Sequence, residues 1–204
     1  MSRVTCHVSM SLDGFIGGPN QSLDDPVGVG GMQLLRWQSS KDDADVAALS
    51  ELLGPMGAFI MGRNMYGPIR GPWSGDWRGW WGDDPPYHAP VFVLTQFDRD
   101  PIEMAGDTTF HFVTDGFAVA LDRAREVAGD QDIRIAGGAS TVRQAFAAGV
   151  IDDIYLDIIP MTLGQGETIF DGPEAGAFTQ LDVTHSTRYT HIHYQVDQER
   201  TRRA

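Results

Sequence analysis

Two short stretches pair residue types that suit an anionic ligand. In FIMGRNMYG (residues 59–67), an apolar run ends in Gly62 and Arg63. A guanidinium at a strand end is suited to bidentate recognition of a phosphate. Its plainer role is a surface arginine paired with one of the many acids. In IAGGAST (residues 135–141), Gly137 and Gly138 let the backbone approach a ligand closely because no Cβ intervenes. Ala139, Ser140 and Thr141 would then open a helix whose free N–H groups and dipole favour an anion, and Ser140 and Thr141 add hydroxyls. Taken alone, the glycine pair is a tight turn before a capped helix. Two such junctions in one α/β sheet make a dinucleotide more credible, since ligands bind at the carboxyl ends of parallel strands. An arginine that meets an adenosine 2′-phosphate would select NADP over NAD.

The elements that must position these residues follow from pattern. VTCHVSMS is an apolar, alternating strand before the turn signal Asp13-Gly14, and the Gly- and Asp-rich run SLDDPVGVGGMQ is too broken to be regular. From Asp42, DDADVAALSELLG predicts a helix with acids in its first turn and Val46, Leu49, Leu52 and Leu53 near helical spacing, stopped by Gly54-Pro55. The strands AFIMG, PVFVLTQ (90–96) and 110–113 follow, with a loop holding Trp73, Trp77, Trp80 and Trp81 between the first two. FAVALDRAREVAG predicts an amphipathic helix with Leu121, Ala124 and Val127 inward. A strand ending at Gly137-Gly138, a helix closed by Gly149, the strand IDDIYLDIIP and a terminal antiparallel pair, LDVTHS and YTHIHYQVD, complete the chain. Alternating strands and helices followed by a hairpin predict one α/β domain with a mixed sheet.

Composition narrows the partners. Among 204 residues, 28 acids against 15 bases give a net charge of −13, which argues against nucleic acid or an anionic membrane. The single cysteine, Cys6, cannot form an internal disulfide or build a thiolate metal site alone, and a buried strand position is expected for it. Neither a signal-peptide apolar region nor a membrane-length run is seen, so a soluble cytoplasmic domain is the default. His191 and His193 share a strand face, with His185 on the neighbouring strand, but no carboxylate or cysteine is spaced to complete a metal site. The clustered tryptophans would either lie over a planar substrate or, as the simpler reading, cover a loop against the core or a partner subunit.

MSLDGFIG, IMGR, PVFVLT, IAGGAST and GVIDDIYLDIIPMTLGQGETIF occur in the order seen in the dihydrofolate reductase-like superfamily. From about Val4 to Val196 the chain resembles a stand-alone version of the reductase domain of bacterial riboflavin biosynthesis. The resemblance implies a single-domain, three-layer fold with a mixed, mostly parallel sheet, helices on both faces and a C-terminal antiparallel hairpin. It implies that Gly62 and Arg63 hold the 2′-phosphate end of NADPH and that Leu94, Thr95 and Gln96 flank the adenine-ribose. Ala136, Gly137, Gly138, Ala139, Ser140 and Thr141 would cradle the pyrophosphate, with a cis bond between the paired glycines. Ser9, Ile16 and Gly17 would sit near the nicotinamide, with Asp13 in the turn beside it. Met65 departs from the family's pattern, standing where dihydrofolate reductases carry a threonine. The zinc-binding pattern of the deaminase domain often fused to the riboflavin enzymes is absent.

The implied activity is NADPH-dependent reduction of a small heterocyclic or carbonyl substrate. A non-catalytic nucleotide- or flavin-binding dimer on the same fold is the alternative. Substrate is expected between the first strand, the 42–53 helix and the strand carrying Asp157, lined by Trp37, Asp45, Tyr66 and Asp157. Asp45, or a bound water, is the expected proton donor. A homodimer paired through the terminal strands is expected from the resemblance.

Overall fold

The computed structural model describes residues 2–67, 71–73, 75–170 and 177–197. Its first strand, β1 (Val4–Ser11), alternates as a sheet centre should: Val4, Cys6, Val8 and Met10 enter one apolar core. Thr5, His7, Ser9 and Ser11 face the other way, and that polar row matters below. A short β2 (Phe15–Gly17) pairs with β9 (Glu167–Thr168) as a separate ribbon.

The main sheet also holds β3 (Ala58–Gly62), β4 (Pro90–Leu94), β5 (Ile102–Glu103), β6 (Thr109–Val113), β7 (Ile133–Gly137), β8 (Asp153–Ile159), β10 (Phe178–His185) and β11 (Thr190–Val196). Its order is β10-β11-β8-β1-β7-β3-β4-β6-β5. The pairs joining β8, β1, β7, β3, β4 and β6 are parallel, while β10, β11 and β5 are antiparallel additions at the edges. This is the mixed, mostly parallel sheet with a C-terminal hairpin that the pattern implied. PVFVLTQ forms a strand only as far as Leu94, leaving Thr95 and Gln96 to turn out at its carboxyl end.

On the apolar face of β1 lie α3 (Phe117–Ala128) and α4 (Ala139–Ala147), whose Ala120, Leu121, Ala124, Val142 and Ala145 fill the largest core. Val127 points outward at 51% exposure, so α3 turns Phe117 and Ala128 inward instead. Cys6 is fully enclosed there, and burial pushes its thiol up to about 12. Past α4, Gly149 takes a left-handed φ of 61°, the conformation that lets glycine end a helix.

Two separate coverings share the opposite face. Over the β1, β8 and β11 side sit α1 (Asp43–Leu52) and a 3₁₀ helix, Gly31–Ser39. The run 22–33 is irregular up to Gly30, and the 3₁₀ helix takes over its last three residues, anchored by burial of Leu34 and Trp37 against Ile159. In α1 the pattern also misleads: Val46 and Leu53 are exposed and the fully buried position is Asp45. Over the β3, β4 and β6 side, the tryptophan loop packs Trp73, Trp77 and Trp81 against Phe59, Met61, Val91, Val93 and Phe112.

Candidate functional site

Between the two coverings opens a cavity of about 1320 Å³ that continues over the carboxyl ends of β3, β4 and β7. Leu52 and Leu53 border it from α1, and Trp80, Trp81, Pro86 and Tyr87 from the tryptophan loop, with Phe59, Arg134, His7, Ser9 and Asp157 in its wall. The loop therefore does two jobs: Trp73 and Trp77 seal the core, while Trp80 and Trp81 border the cavity.

At the far end stands Arg63, the first residue of the short α2 (Arg63–Tyr66). Its guanidinium lies 3.3 Å from the centre of the Trp73 ring, donates to Thr95 Oγ1 at 3.1 Å and donates to the Gly71 carbonyl at 3.0 Å. Stacking and two directed hydrogen bonds fix the plane of the charge before any ligand arrives. Leu94, Thr95 and Gln96 line the same end.

Opposite Arg63, β7 delivers Ala136 and Gly137 to the N-terminus of α4, and the Gly137-Gly138 bond is cis. No side chain caps α4. A Cβ built on Gly138 would meet nothing within 4 Å, so glycine there leaves the cradle open above the helix start. Next to it, a Cβ on Gly62 would come within 2.7 Å of Thr141 Oγ1, so only a glycine lets β3 pass this close to α4. Ala136, Gly137, Gly138, Ala139, Ser140 and Thr141 all border the cavity. An anionic, elongated ligand fits these residues: a helix N-terminus, an open glycine cradle and an oriented guanidinium face one space.

Nearer β1, the cavity is bordered by Ser9, Ile16 and Gly17. Asp13 is not part of its wall. Its carboxylate accepts from Ser11 Oγ at 2.6 Å, Leu163 N at 3.1 Å and Gly164 N at 2.7 Å, and these bonds hold it below the usual carboxylate range. Asp13 thus pins the β1–β2 turn to the 161–164 segment.

The four residues expected around substrate separate. Asp157 borders the cavity, whereas Trp37, Tyr66 and Asp45 do not. Trp37 is fully buried, but its Nε1 donates to Ser9 Oγ at 2.8 Å, so it orients a cavity residue from behind. Tyr66 is fully buried in an aromatic cluster with Phe110, Phe112 and Trp73, and its hydroxyl donates to the Trp77 carbonyl at 3.2 Å. That burial pushes its phenol up to about 12. Asp45 borders instead a smaller cavity of about 400 Å³ with Ser40 and Tyr189.

What pattern did not show is why Asp45 is buried. Its Oδ1 accepts from His191 Nε2 at 2.8 Å, and the other ring nitrogen, Nδ1, donates to Asp157 Oδ1 at 2.7 Å. Asp157 Oδ2 also accepts from His7 Nε2 at 3.0 Å and from Ser9 Oγ at 3.4 Å. Burial disfavours the charged His191, but its hydrogen bonds to Asp157 and Asp45 and their charge outweigh burial and raise its pKa. Burial would likewise raise Asp157, yet the bonds from His191 and His7 hold it below the usual range. His193 meets Asp153 at 2.9 Å, and His185 is exposed. Carboxylates do reach two of the three histidines, from 34, 40 and 146 residues away, which spacing along the chain cannot reveal. Among the described residues no group of three or more His, Cys, Asp or Glu is arranged to hold a metal, and no helix is long and apolar enough to cross a membrane.

Residues 2–192 match the profile of the RibD C-terminal domain. Among solved structures, a protein from Shewanella sp. PV-4 named for riboflavin biosynthesis is similar at TM-score 0.63 and 20% identity, with 96% of this chain and 99% of that one covered. A pyrimidine reductase-like protein of Corynebacterium diphtheriae follows at TM-score 0.58 and 16% identity, covering 96% and 92%. Acinetobacter baumannii RibD is similar at TM-score 0.59 and 15% identity, and the match covers 97% of this chain but 58% of that longer one. Among curated proteins none matches. At these identities the structures speak for the fold, and the profile, running through nearly every element described above, shows that the chain belongs to the RibD C-terminal domain family.

Proposed function

We propose that the protein is an NADPH-dependent reductase of a small heterocyclic or carbonyl substrate. A phosphoribosylamino-uracil of the riboflavin route is the first candidate to try, because relatives carry that pathway in their names. One observation carries the reading: Arg63, already oriented by Trp73, Thr95 and Gly71, faces the same cavity as the uncapped start of α4.

Arg63 and Gly62 would take the 2′-phosphate end, Leu94 and Gln96 the adenine-ribose, and Gly137 to Thr141 the pyrophosphate. Thr95 serves this end through Arg63. Ser9, Ile16 and Gly17 would border the nicotinamide, with Trp37 fixing the Ser9 hydroxyl. When bound, NADPH supplies the hydride. The protein's share is geometry: Trp80, Trp81, Tyr87, Leu52 and Leu53 wall a mostly apolar space that holds a flat ring and limits water. Asp45 lies behind that wall, so the proton comes from water admitted to the cavity. A cytoplasmic setting and a homodimer belong to the same reading.

The test is calorimetric titration of NADPH and NADH into wild-type protein and Arg63→Ala. NADPH binds wild type more tightly, and Arg63→Ala weakens NADPH by roughly 10- to 100-fold, the scale of one or two charge-assisted hydrogen bonds, with NADH unchanged. Binding of neither nucleotide to wild type overturns the reading.

A further inference from the structure

The wall of the cavity beside Ser9 is not built like the rest. Elsewhere the two coverings bury apolar cores on this sheet face. Here β1 and β8, paired in parallel with His7 opposite Tyr155 and Ser9 opposite Asp157, present polar side chains instead. Asp157 is only 1% exposed, yet it borders the cavity and is hydrogen-bonded by three side chains. Such a group is costly to bury unless it is paired, and the pairing here is incomplete in charge. Two carboxylates, Asp157 and Asp45, share the His191 imidazole, so a charged His191 balances only one of them, and His7 meets Asp157 through Nε2 at 3.0 Å.

Other charged groups on this face of the sheet are engaged elsewhere. Arg134, also in the wall, donates to the Glu51 carbonyl at 2.9 Å and meets Glu51 Oε1 at 3.2 Å, which neutralises it locally. Arg3 and His193 are both engaged by Asp153. The half-buried Ser9 hydroxyl, held by Trp37 and donating to Asp157, is the group that stands between this charge and the open space.

We propose that Asp157, positioned by His191 and Asp45, is the fixed counter-charge of the hydride-transfer site, favouring the oxidised nicotinamide ring, which is cationic, over the reduced ring, which is neutral. The proposal rests on the NADPH reading and on Ser9 bordering the nicotinamide. Hydride departure moves two electrons and one proton from the ring to the substrate carbon and leaves the ring with a positive charge. The second proton, on the substrate heteroatom, comes from water. A negative charge one hydroxyl away stabilises the ring as that positive charge develops. Through linkage, a site that prefers the oxidised cofactor makes its bound reduced form a stronger hydride donor.

This preference is measurable without any substrate. NADP⁺ and NADPH share every group except the ring's charge state, so the ratio of their dissociation constants isolates the effect. Titration of both into wild type, Asp157→Asn, Asp45→Asn and Arg63→Ala reads it. Asp157→Asn raises Kd(NADP⁺)/Kd(NADPH) several-fold, on the order of 5- to 20-fold for a unit charge several ångströms away in a partly wet cavity. Asp45→Asn, altered from outside the cavity, shifts the ratio the same way by less, and it carries the test should Asp157→Asn fail to fold. Arg63→Ala weakens both nucleotides and leaves the ratio alone. A ratio unchanged within twofold in both aspartate variants, with both nucleotides still binding, overturns this proposal and leaves the reductase reading standing. If neither nucleotide binds wild type, the reductase reading falls first.

Discussion

His191 sits with both ring nitrogens engaged, one by Asp157 and one by Asp45, and this has a consequence for stability apart from catalysis. Around the imidazole, α1 supplies Asp45 and β8 supplies Asp157, with His7 of β1 beyond it. His191 is raised above 6.5, so its contribution is complete below the unfolded value near 6.5 and is lost as pH rises through the raised value. Asp45 and Asp157 are lowered from 3.8, so theirs is present above that value and is lost as pH falls through the depressed values. Stability from the array therefore peaks in a mildly acidic window. His191→Gln leaves two buried carboxylates without their cation and costs roughly 3–5 kcal/mol, the range for breaking a buried pair. Its melting temperature also falls less steeply between pH 6.5 and alkaline pH than the wild type's, as thermal scans across pH would show. A parallel decline in both proteins would rule out His191 as the source.

At the scale of elements, what was legible is what obeys a local rule. The parallel strands announce themselves as short apolar runs, and IMGR and IAGGAST mark where their carboxyl ends deliver groups to the cavity. Long-range pairing left no such mark. Asp45 was expected as a proton donor beside the substrate, yet it is buried against a partner from β11. The polar alternation Thr5, His7, Ser9, Ser11 in β1 was the available signal that this face of the sheet is not plain core. The 3₁₀ helix was hidden by its glycines, and Tyr66 looked like a cavity residue because nothing local says the tryptophan loop folds over it. That loop is held by reciprocal bonds: Trp77 Nε1 donates to the Tyr66 carbonyl at 2.9 Å, and Tyr66 Oη donates to the Trp77 carbonyl. Gly67 lets Trp77 lie flat there, since a Cβ would come within 2.4 Å of its Nε1. Gly67→Ala should displace the indole and destabilise the fold by about 1–3 kcal/mol, as overpacking does. Chemical denaturation measures this, and an unchanged midpoint would show that the loop does not depend on that contact.

For the molecule as a whole, β10 is the exposed margin of the sheet. It pairs with β11 on one side, and Phe178, Leu181 and Val183 are 36%, 49% and 41% exposed. An apolar edge strand invites a second copy. The expected homodimer would be seen by light scattering, and Val183→Lys would shift it toward monomer, whereas a wild-type monomer at working concentration would exclude the arrangement. Net charge matters too: at −13, the long-range field opposes any polyanion. On the NADPH reading, entry of the nucleotide would depend on the local field of Arg63, and stopped-flow association should quicken as salt screens the surrounding acids.

The tryptophans that shape the cavity also make it luminous. Trp80 and Trp81 border the space, and Trp73 lies flat under Arg63. A reduced nicotinamide absorbs where indoles emit, so light captured by these rings would pass to a reduced cofactor bound in that space, while an oxidised one would take up none of it. On the NADPH reading, the protein would carry a spectroscopic gauge of which redox form it holds, built from side chains that wall its cavity.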